Sequence, residues 1–294
     1  MFASCNDSFV LSNGVTIPCI GYGTWQSSEA DAEQGVKNAL QSGYRHIDTA
    51  AAYGNEAAVG RGIKESGVKR EDIFLTSKHW ITERGYTKTL AAVDASLKAL
   101  GTDYLDLYLI HWPCTPVITE RWAEVNAATW RGFEEAYRLG KLRAIGVSNF
   151  LPEQILALES TALLKPMVNQ IECHPGYTQD ALVNWSREHG MVVEAWSPLG
   201  CGAVLQDKTV NAVAVAHGVT PAQVCVRFAL QNGVLPIPKS VHADRILQNK
   251  DVFGFELSEE EMLELRTIPP LGYSGFHPSN APADTLYGGN CDIE

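Results

Sequence analysis

Apolar residues recur along the chain in two alternating patterns, which predict strands that alternate with helices. Short runs such as 104–111 and 191–197 are apolar on both faces, as is typical of parallel strands covered by helices. Between such runs, Leu90, Val93 and Leu97 are spaced three and four positions apart, as on one face of a helix. The pattern therefore predicts an α/β fold with a parallel sheet.

The strand–helix unit repeats throughout the chain. Eight strands are predicted, at residues 20–25, 45–49, 73–78, 104–111, 142–148, 167–172, 191–197 and 234–240. Such units repeated over about 250 residues predict a (β/α)8 TIM barrel. The main alternative is a doubly wound open sheet, but the sequence lacks the G-x-G-x-x-G motif with which that fold usually binds dinucleotides.

The two ends of the chain depart from this repeat. Residues 9–18 contain Asn13-Gly14 between two strand-like runs and predict a β-hairpin. Residues 269–294 hold four prolines and four glycines in 26 positions and predict an extended C-terminal tail. No linker divides the repeat, so residues 1–294 are predicted to form a single barrel domain.

Polar residues stand at the ends of three consecutive predicted strands. The second strand ends at Asp48, with Tyr53 shortly after it, the third ends at Lys78 and the fourth at His111. In a parallel barrel these ends meet at one mouth, where active sites are built. Each side chain alone is compatible with ordinary packing, but four such groups at corresponding positions predict a catalytic site.

The four side chains complement one another as a proton-delivery site. Tyrosine titrates near pH 10 and is a poor acid at neutral pH. We expect the Lys78 ammonium to lower the pKa of Tyr53, and Asp48 to keep Lys78 charged. His111 can donate a hydrogen bond that holds a carbonyl oxygen in line with the Tyr53 hydroxyl. The set is suited to protonating a carbonyl oxygen while another group attacks the carbon.

The later strands end in residues suited to a flat, anionic ligand. Hydroxyl and amide side chains that could bind a planar carboxamide occur at Ser148, Asn149 and Gln170, and Trp196 could stack on a flat ring. The last strand–helix junction carries a phosphate-binding combination of Lys239, Ser240 and Arg245, followed by Gln248 and Asn249.

Five stretches resemble motifs of the aldo-keto reductase family. They are GYRHIDTA at 43–50, LGTDYLDLYLIHWP at 100–113, IGVSNF at 145–150, NQIECHP at 169–175 and IPKSV at 237–241. These stretches are long, specific and correctly ordered, and the resemblance covers essentially the whole chain. Trp196 and the short segment after Pro113 are more similar to the bacterial 2,5-diketo-D-gluconate reductase-like branch of the family.

The resemblance implies an NADP(H)-dependent oxidoreductase that reduces aldehydes or ketones, sugar-derived carbonyls included, to alcohols. Tyr53 would be the proton donor, tuned by Lys78 and Asp48, and His111 would orient the substrate oxygen. The implied substrate-binding residues are Trp25, Tyr53, Trp80, His111 and Trp112.

The resemblance also implies where the cofactor would bind. The implied cofactor-binding residues are Gly23, Thr24, Trp25, Asp48, Ser148, Asn149, Gln170, Trp196, Ser197, Leu199, Lys239, Ser240, Val241, Arg245, Gln248 and Asn249. The amide and hydroxyl groups would hold the nicotinamide amide, Trp196 would stack on its ring, and Lys239, Ser240 and Arg245 would bind the adenosine 2′-phosphate. His242 and Gln248 depart from the residues common in the family, a small hydroxyl or amide and a glutamate.

Composition limits the partners and the compartment. The formal charge is −11, so we expect no nucleic acid or acidic membrane as partner, and any anionic ligand must meet a local basic cluster. Seven scattered cysteines without a C-x-x-C pair, and an N-terminus without a signal-peptide pattern, predict a cytoplasmic protein with reduced thiols. We expect a monomer. The tripeptide Glu172-Cys173-His174 is a disfavoured metal-site alternative.

Two other functions are compatible with the same residues. The first is a non-catalytic NADPH-binding subunit of the same fold, against which the complete set of four side chains argues. The second is an aldolase on a similar barrel that forms a Schiff base through Lys78.

Overall fold

The computed structural model describes residues 2–271 together with residues 277 and 278. The tail predicted at 269–294 therefore lies mostly outside the described residues. The strands within them are β1 (Ser8–Val10), β2 (Thr16–Pro18), β3 (Tyr22–Gly23), β4 (His46–Asp48), β5 (Phe74–His79), β6 (Leu107–Ile110), β7 (Ile145–Ser148), β8 (Val168–Glu172), β9 (Val192–Trp196) and β10 (Leu235–Pro236).

Strands β3 to β10 pair in parallel and in chain order, and they form a closed barrel. The backbone N–H of Gly21 donates to the carbonyl oxygen of Pro236 at 3.0 Å, and that of Gly23 donates to Pro238 at 3.1 Å. These bonds join the first strand to the last, so the sheet has no free edge there. The predicted (β/α)8 barrel is confirmed, and the open-sheet alternative is wrong.

The last strand is shorter than predicted. The expected strand at 234–240 contains only Leu235–Pro236 as regular strand. Pro236 and Pro238 lack a backbone N–H and cannot complete a hydrogen-bond ladder, although their carbonyl oxygens still accept bonds from β3.

Helices follow the barrel strands and cover their outer face. They are α1 (Glu29–Gln41), α2 (Glu56–Ser66), α3 (Tyr86–Leu100), α4 (Trp122–Arg138), α5 (Pro152–Glu159), α6 (Asp180–Glu188), α7 (Lys208–His217), α8 (Pro221–Gln231), α9 (Ala243–Lys250) and α10 (Glu259–Arg266). Among the described residues, no single helix is long and apolar enough to cross a membrane; only the bent pair α7 and α8, taken together, meets that length and composition.

Close packing of α2 fixes the loop that precedes it. A Cβ atom at Gly62 would lie 2.5 Å from the carbonyl oxygen of Glu33 on α1, and one at Gly60 would meet the Leu100 carbonyl at the end of α3. Backbone carbonyls cannot move aside without shifting a whole helix. Since α2 is held between α1 and α3, the β4–α2 loop that carries Tyr53 has a fixed end point.

The predicted N-terminal hairpin is confirmed. Strands β1 and β2 pair antiparallel, with Val10 opposite Thr16. Gly14 at the turn has a φ of 86°, which glycine adopts at no steric cost. The Nδ2 of Asn13 donates to the carbonyl oxygen of Arg143 at 2.9 Å, so the hairpin contacts the chain just before β7, at the amino end of the barrel.

Candidate active site

Tyr53 is placed by a single turn that follows β4. Asp48 is the last residue of that strand, and a 3-10 turn ends at Tyr53, where Gly54 takes the left-handed conformation with φ 67°. The buried side chain of Asn55 anchors the turn, because its Nδ2 donates to the carbonyl oxygen of Thr24 at 3.0 Å. The backbone is therefore fixed on both sides of Tyr53.

Lys78 lies fully buried in β5 beneath the phenol. Its Nζ donates to Asp48 Oδ1 at 2.5 Å, to the carbonyl oxygen of Thr49 at 3.1 Å and to the Tyr53 hydroxyl at 3.2 Å. The three N–H donors of the ammonium group are thus each matched by an oxygen acceptor within the protein. The predicted link from Asp48 through Lys78 to Tyr53 is present as direct contacts.

His111 completes the group from the end of β6. Its ring stands edge-on to the Tyr53 ring, with 5.6 Å between centroids, and to the Trp80 ring at 5.0 Å. The four side chains predicted from the strand ends therefore lie together at one mouth of the barrel. This convergence follows from the parallel topology, which brings the carboxyl ends of β4, β5 and β6 side by side.

The charges of this group differ in part from expectation. Burial alone would lower the pKa of Lys78, but the interactions of its ammonium with Asp48 and Tyr53 together outweigh burial, and the pKa is raised. Burial raises the pKa of the Tyr53 phenol, and the nearby Lys78 ammonium only opposes that effect. Lys78 therefore acts on the phenol in the expected direction, toward a lower pKa, but loss of solvent has the larger effect and the net shift of the Tyr53 pKa is upward. Tyr53 is a phenol and Lys78 an ammonium at neutral pH.

The imidazole of His111 is neutral at physiological pH. Burial, followed by the positive charge of Lys78, lowers its pKa well below the usual value. A neutral imidazole carries one N–H donor and one acceptor nitrogen. His111 can thus donate one hydrogen bond into the cavity without introducing a second positive charge beside Lys78.

Asn149 links His111 to Trp196, the last residue of β9. Its backbone has a φ of 62°, which asparagine tolerates better than most residues. Its Nδ2 donates to the carbonyl oxygen of His111 at 3.0 Å and to Ser148 Oγ at 3.1 Å. Its Oδ1 accepts from Trp196 Nε1 at 2.9 Å, so the indole plane is fixed by a hydrogen bond.

Gln170 connects the cluster to a buried carboxyl group that the sequence analysis did not assign. Its Nε2 donates to Asp48 Oδ2 at 2.9 Å and to Glu194 Oε2 at 2.8 Å. Glu194 is fully buried, and burial followed by the charge of Asp48 raises its pKa to about 8. The signal in the sequence is a charged residue inside the apolar run 191–197.

The raised pKa of Glu194 predicts a pH-dependent stability. The folded protein keeps a proton on this carboxyl between about pH 4.5 and 8, where the unfolded chain has lost it. The contribution of Glu194 to the free energy of unfolding therefore falls as pH rises through that window, by on the order of 1 kcal/mol per pH unit.

Denaturant unfolding of wild type and Glu194→Gln at pH 5, 6, 7 and 8 isolates this effect. The two proteins share the neighbouring groups Asp48, Lys78 and His46, so only Glu194 differs in titration. We expect the wild type to lose stability relative to the variant across the series. A difference that does not change with pH would show that Glu194 is ionised throughout.

The last strand–helix junction brings cationic and polar groups to the rim. Lys239 Nζ donates to the carbonyl oxygen of Gln26 at 3.3 Å, which joins the loop after β10 to the loop after β3. The hydroxyl of Tyr22 donates to the carbonyl oxygen of Ser240 at 2.7 Å and fixes that backbone. Arg245 is exposed on the first turns of α9.

A cavity of about 1000 Å³ runs from Tyr53 and His111 to this junction. Most of the predicted site residues line it, namely Gly23, Trp25, Asp48, Tyr53, Trp80, His111, Trp112, Asn149, Gln170, Trp196, Ser197, Leu199, Lys239, Ser240, Arg245, Gln248 and Asn249. The cavity therefore places a phenol hydroxyl, a fixed indole and a basic junction along one surface.

Four predicted residues do not line the cavity. Lys78 lies below Tyr53, Thr24 is buried with its hydroxyl donating to the carbonyl oxygen of Asp48, and Ser148 donates to Gln170. Val241 is 37% exposed and does not line the cavity. At these four positions we therefore expect the side chain to stabilise the cavity wall, or the backbone to contact a ligand, rather than the side chain itself to touch a ligand in the cavity.

Residues that the sequence analysis did not single out also line the cavity. They are Gln26, Ala52, Pro198, Cys201, Gly202, Leu205, Gln206, Thr220, Pro221, Ala222 and Ile237. Most of them belong to the segment after β9 and to the first turn of α8. Of these residues, only those at the start of α8 could have been found from the sequence. Thr220 and Pro221 mark the beginning of a helix, and in a barrel the helices that follow strands begin near one mouth.

Comparison with known proteins identifies the family. The family model for the aldo/keto reductase family matches residues 19–269. The chain belongs to the aldo/keto reductase family. Among aldo/keto reductases and related enzymes, a glyoxal reductase of Bacillus subtilis is 47% identical over 263 residues, which cover 89% of this chain and 92% of that protein.

Solved aldo/keto reductase structures share the fold. An aldo-keto reductase of Bombyx mori in complex with NADP has a TM-score of 0.82 at 37% identity, with 90% of this chain and 93% of that chain covered. A mutant of Gox0644 in complex with NADPH has a TM-score of 0.87 at 38% identity, with 94% and 98% covered. The family resemblance expected from the sequence motifs is confirmed.

Proposed function

We propose that the protein reduces aldehydes or ketones to alcohols with NADPH, and that Tyr53 is the proton donor. One observation carries the proposal. The buried ammonium of Lys78 lies 2.5 Å from Asp48 and 3.2 Å from a tyrosine hydroxyl at the wall of the cavity. A cationic hydrogen-bond donor below a phenol stabilises the phenolate that proton transfer leaves behind.

The residues along the cavity are of the types that NADP(H) needs. The amide of Gln170 can bind a carboxamide, Trp196 offers a fixed flat surface, and Lys239 and Arg245 offer positive charge to a phosphate. NADPH, when bound there, supplies a hydride to the carbonyl carbon. The solved relatives bound to NADP and NADPH support this assignment.

The chain's own groups account for the proton. Tyr53 keeps its proton at neutral pH because burial raises the pKa of the phenol. It can donate that proton to a carbonyl oxygen, and neutral His111 can donate a second hydrogen bond to the same oxygen. Asp48 holds Lys78 in the charged form throughout.

Three further indole side chains line the cavity together with Tyr53 and His111. The Trp80 ring stands edge-on to His111 at 5.0 Å, Trp112 follows His111 in the chain, and Trp25 lines the same cavity. These walls favour a small aldehyde, a ketone or a sugar-derived carbonyl whose apolar part packs on indole. The Bacillus subtilis relative is named for glyoxal, itself a small carbonyl compound.

We further propose that the protein acts as a cytoplasmic monomer. The complete group of four side chains comes from one chain, so catalysis requires no partner subunit. Among the described residues no two cysteines form a disulfide, as is typical of a reducing compartment. Sedimentation of the purified protein tests the first point, and localisation of a tagged chain tests the second.

A cofactor-consumption assay with a panel of aldehydes tests the activity. We expect NADPH oxidation with at least one aldehyde, and equimolar alcohol. Tight NADPH binding without turnover on any carbonyl would favour the non-catalytic subunit. Borohydride trapping of substrate on Lys78, with turnover in the absence of nicotinamide, would favour the aldolase; the raised pKa of Lys78 argues against it, since an ammonium is not a nucleophile.

Arg245→Ala tests the phosphate-binding assignment. We expect the dissociation constant for NADPH to rise by roughly 10-fold to 100-fold, because a charged hydrogen bond to the 2′-phosphate is lost. Binding of NADH, which lacks that phosphate, should change little. Lys250→Ala is the matched control, since Lys250 lies on the same helix and does not line the cavity. Equal weakening of NADPH and NADH would contradict the assignment.

A further inference from the structure

A hydrogen-bonded chain of carboxyl, amide and carboxyl groups crosses the barrel interior. Gln170 on β8 and Glu194 on β9 are register partners in the sheet, and both side chains are buried. The Nε2 of Gln170 lies 2.9 Å from Asp48 Oδ2 and 2.8 Å from Glu194 Oε2. Both amide hydrogens of Gln170 therefore have acceptors on the inner side of the cavity wall.

The charge of Asp48 decides which end of the Gln170 amide faces inward. Asp48 is paired with the Lys78 ammonium at 2.5 Å and is ionised, so both of its oxygens are acceptors only. The amide atom next to Asp48 must be the nitrogen, because a carbonyl oxygen there would face a carboxylate oxygen. The amide oxygen is thereby left on the cavity side.

With a single acceptor, the Gln170 amide could rotate about its one hydrogen bond. Two acceptors for the same amide nitrogen fix the plane of the amide. Glu194 supplies the second acceptor. We propose that Glu194 is a positioning residue, which holds the Gln170 carbonyl oxygen toward the cavity as the acceptor for the carboxamide N–H2 of NADP(H). This inference rests on the proposed function, because it assumes that a nicotinamide occupies this part of the cavity.

The surroundings of Glu194 are compatible with this task. The other charged or titratable groups near it are Asp48 and His46 on β4 and Lys78 on β5, and its Oε1 lies 3.8 Å from His46 Nε2. Burial lowers the pKa of His46 to about 3, so this imidazole is neutral. A neutral or ionised Glu194 carboxyl can accept the bond from Gln170, and a glutamine at position 194 could accept it through its amide oxygen.

Cofactor binding, measured without turnover, tests the proposal. The probes are NADP⁺ and its 3-acetylpyridine analogue, which carries a methyl ketone in place of the carboxamide and has no N–H2 to donate. Isothermal titration gives both dissociation constants and the number of sites per chain. We expect the wild type to bind NADP⁺ more tightly than the analogue by about 3-fold to 10-fold, the effect of one hydrogen bond.

The variants separate positioning from mere burial of a carboxyl group. Glu194→Met keeps the volume and removes the acceptor, so its preference for NADP⁺ should fall to within about twofold of unity. Glu194→Gln should keep the wild-type preference. Glu56→Gln is the matched control, since Glu56 is another buried carboxyl with a raised pKa that hydrogen-bonds Ser77 instead of Gln170. It should also keep the wild-type preference.

Each outcome decides the proposal. An unchanged preference in Glu194→Met overturns it, and so does a collapse in Glu194→Gln, which would make charge rather than the acceptor responsible. If Glu194→Met does not fold, Glu194→Leu, which also lacks an acceptor, replaces it, and a wild-type preference near unity overturns the proposal without any variant. A wild type that binds neither dinucleotide would instead refute the cofactor assignment, and a wild type that discriminates but reduces no aldehyde would refute only the proposed activity.

Discussion

Tyr53→Phe is expected to lower the rate of carbonyl reduction by about 10²-fold to 10⁴-fold, the usual contribution of a positioned general acid. The substitution removes only the hydroxyl, and the ring can keep its edge contact with His111 and its position 5.0 Å from Lys78 Nζ. NADPH affinity should therefore change by no more than about threefold, because no cofactor contact is assigned to the hydroxyl. Single-turnover kinetics at saturating NADPH measure the rate, and fluorescence titration measures the affinity.

A tyrosine outside the cavity supplies the control for this experiment. Tyr86 lies in the first turn of α3 and is 43% exposed, so Tyr86→Phe should leave the rate unchanged. Near-normal turnover by Tyr53→Phe would refute its assignment as proton donor. A rate loss accompanied by an equal loss of NADPH affinity would show that the hydroxyl serves binding instead.

Lys78→Met is expected to affect both activity and stability. It leaves the Asp48 carboxylate without its cationic partner in the barrel interior, and breaking a buried ion pair in this way costs about 3–5 kcal/mol. It also removes the positive charge beside the Tyr53 hydroxyl, so reduction should fall by at least about 10²-fold. Urea unfolding and single-turnover kinetics measure the two effects separately.

The double variant Lys78→Met with Asp48→Asn distinguishes the two roles of the ion pair. A neutral amide in place of the carboxylate removes the unpaired charge, so most of the lost stability should return. Activity should remain low, because the ammonium is still missing. Recovery of activity together with stability would mean that Lys78 acts only on the fold and that the phenol needs no positive charge.

The site residues that could be predicted from the sequence are those that stand at or just after the end of a strand. Asp48, Lys78 and His111 each close an apolar run, and the parallel topology brings such positions together without any further information. Tyr53 was predictable because only a short turn of small residues separates it from Asp48. Their relative pKa values were not predictable, because burial of the phenol depends on tertiary packing that the local sequence does not specify.

Other parts of the site depend on information that periodicity does not contain. Glu194 was visible as a charge in an apolar strand, but its function depends on register, which places it opposite Gln170. The cavity wall after β9 depends on left-handed backbone at Ser197 and Cys201, neither of which is glycine. Residues with side chains rarely take that conformation, so no local rule predicts the path of this segment.

Transfer of deuterium from NADPH labelled at C4 of the dihydronicotinamide tests the central claim most directly. The purified protein would be incubated with the two stereospecifically labelled cofactors in turn and with an aldehyde that it turns over, and the alcohol would be analysed by mass spectrometry. We expect one labelled cofactor to deliver one deuterium to the carbinol carbon, with no label lost to water. An alcohol without deuterium from either cofactor, or NADPH binding with no alcohol formed from any aldehyde, would contradict the account.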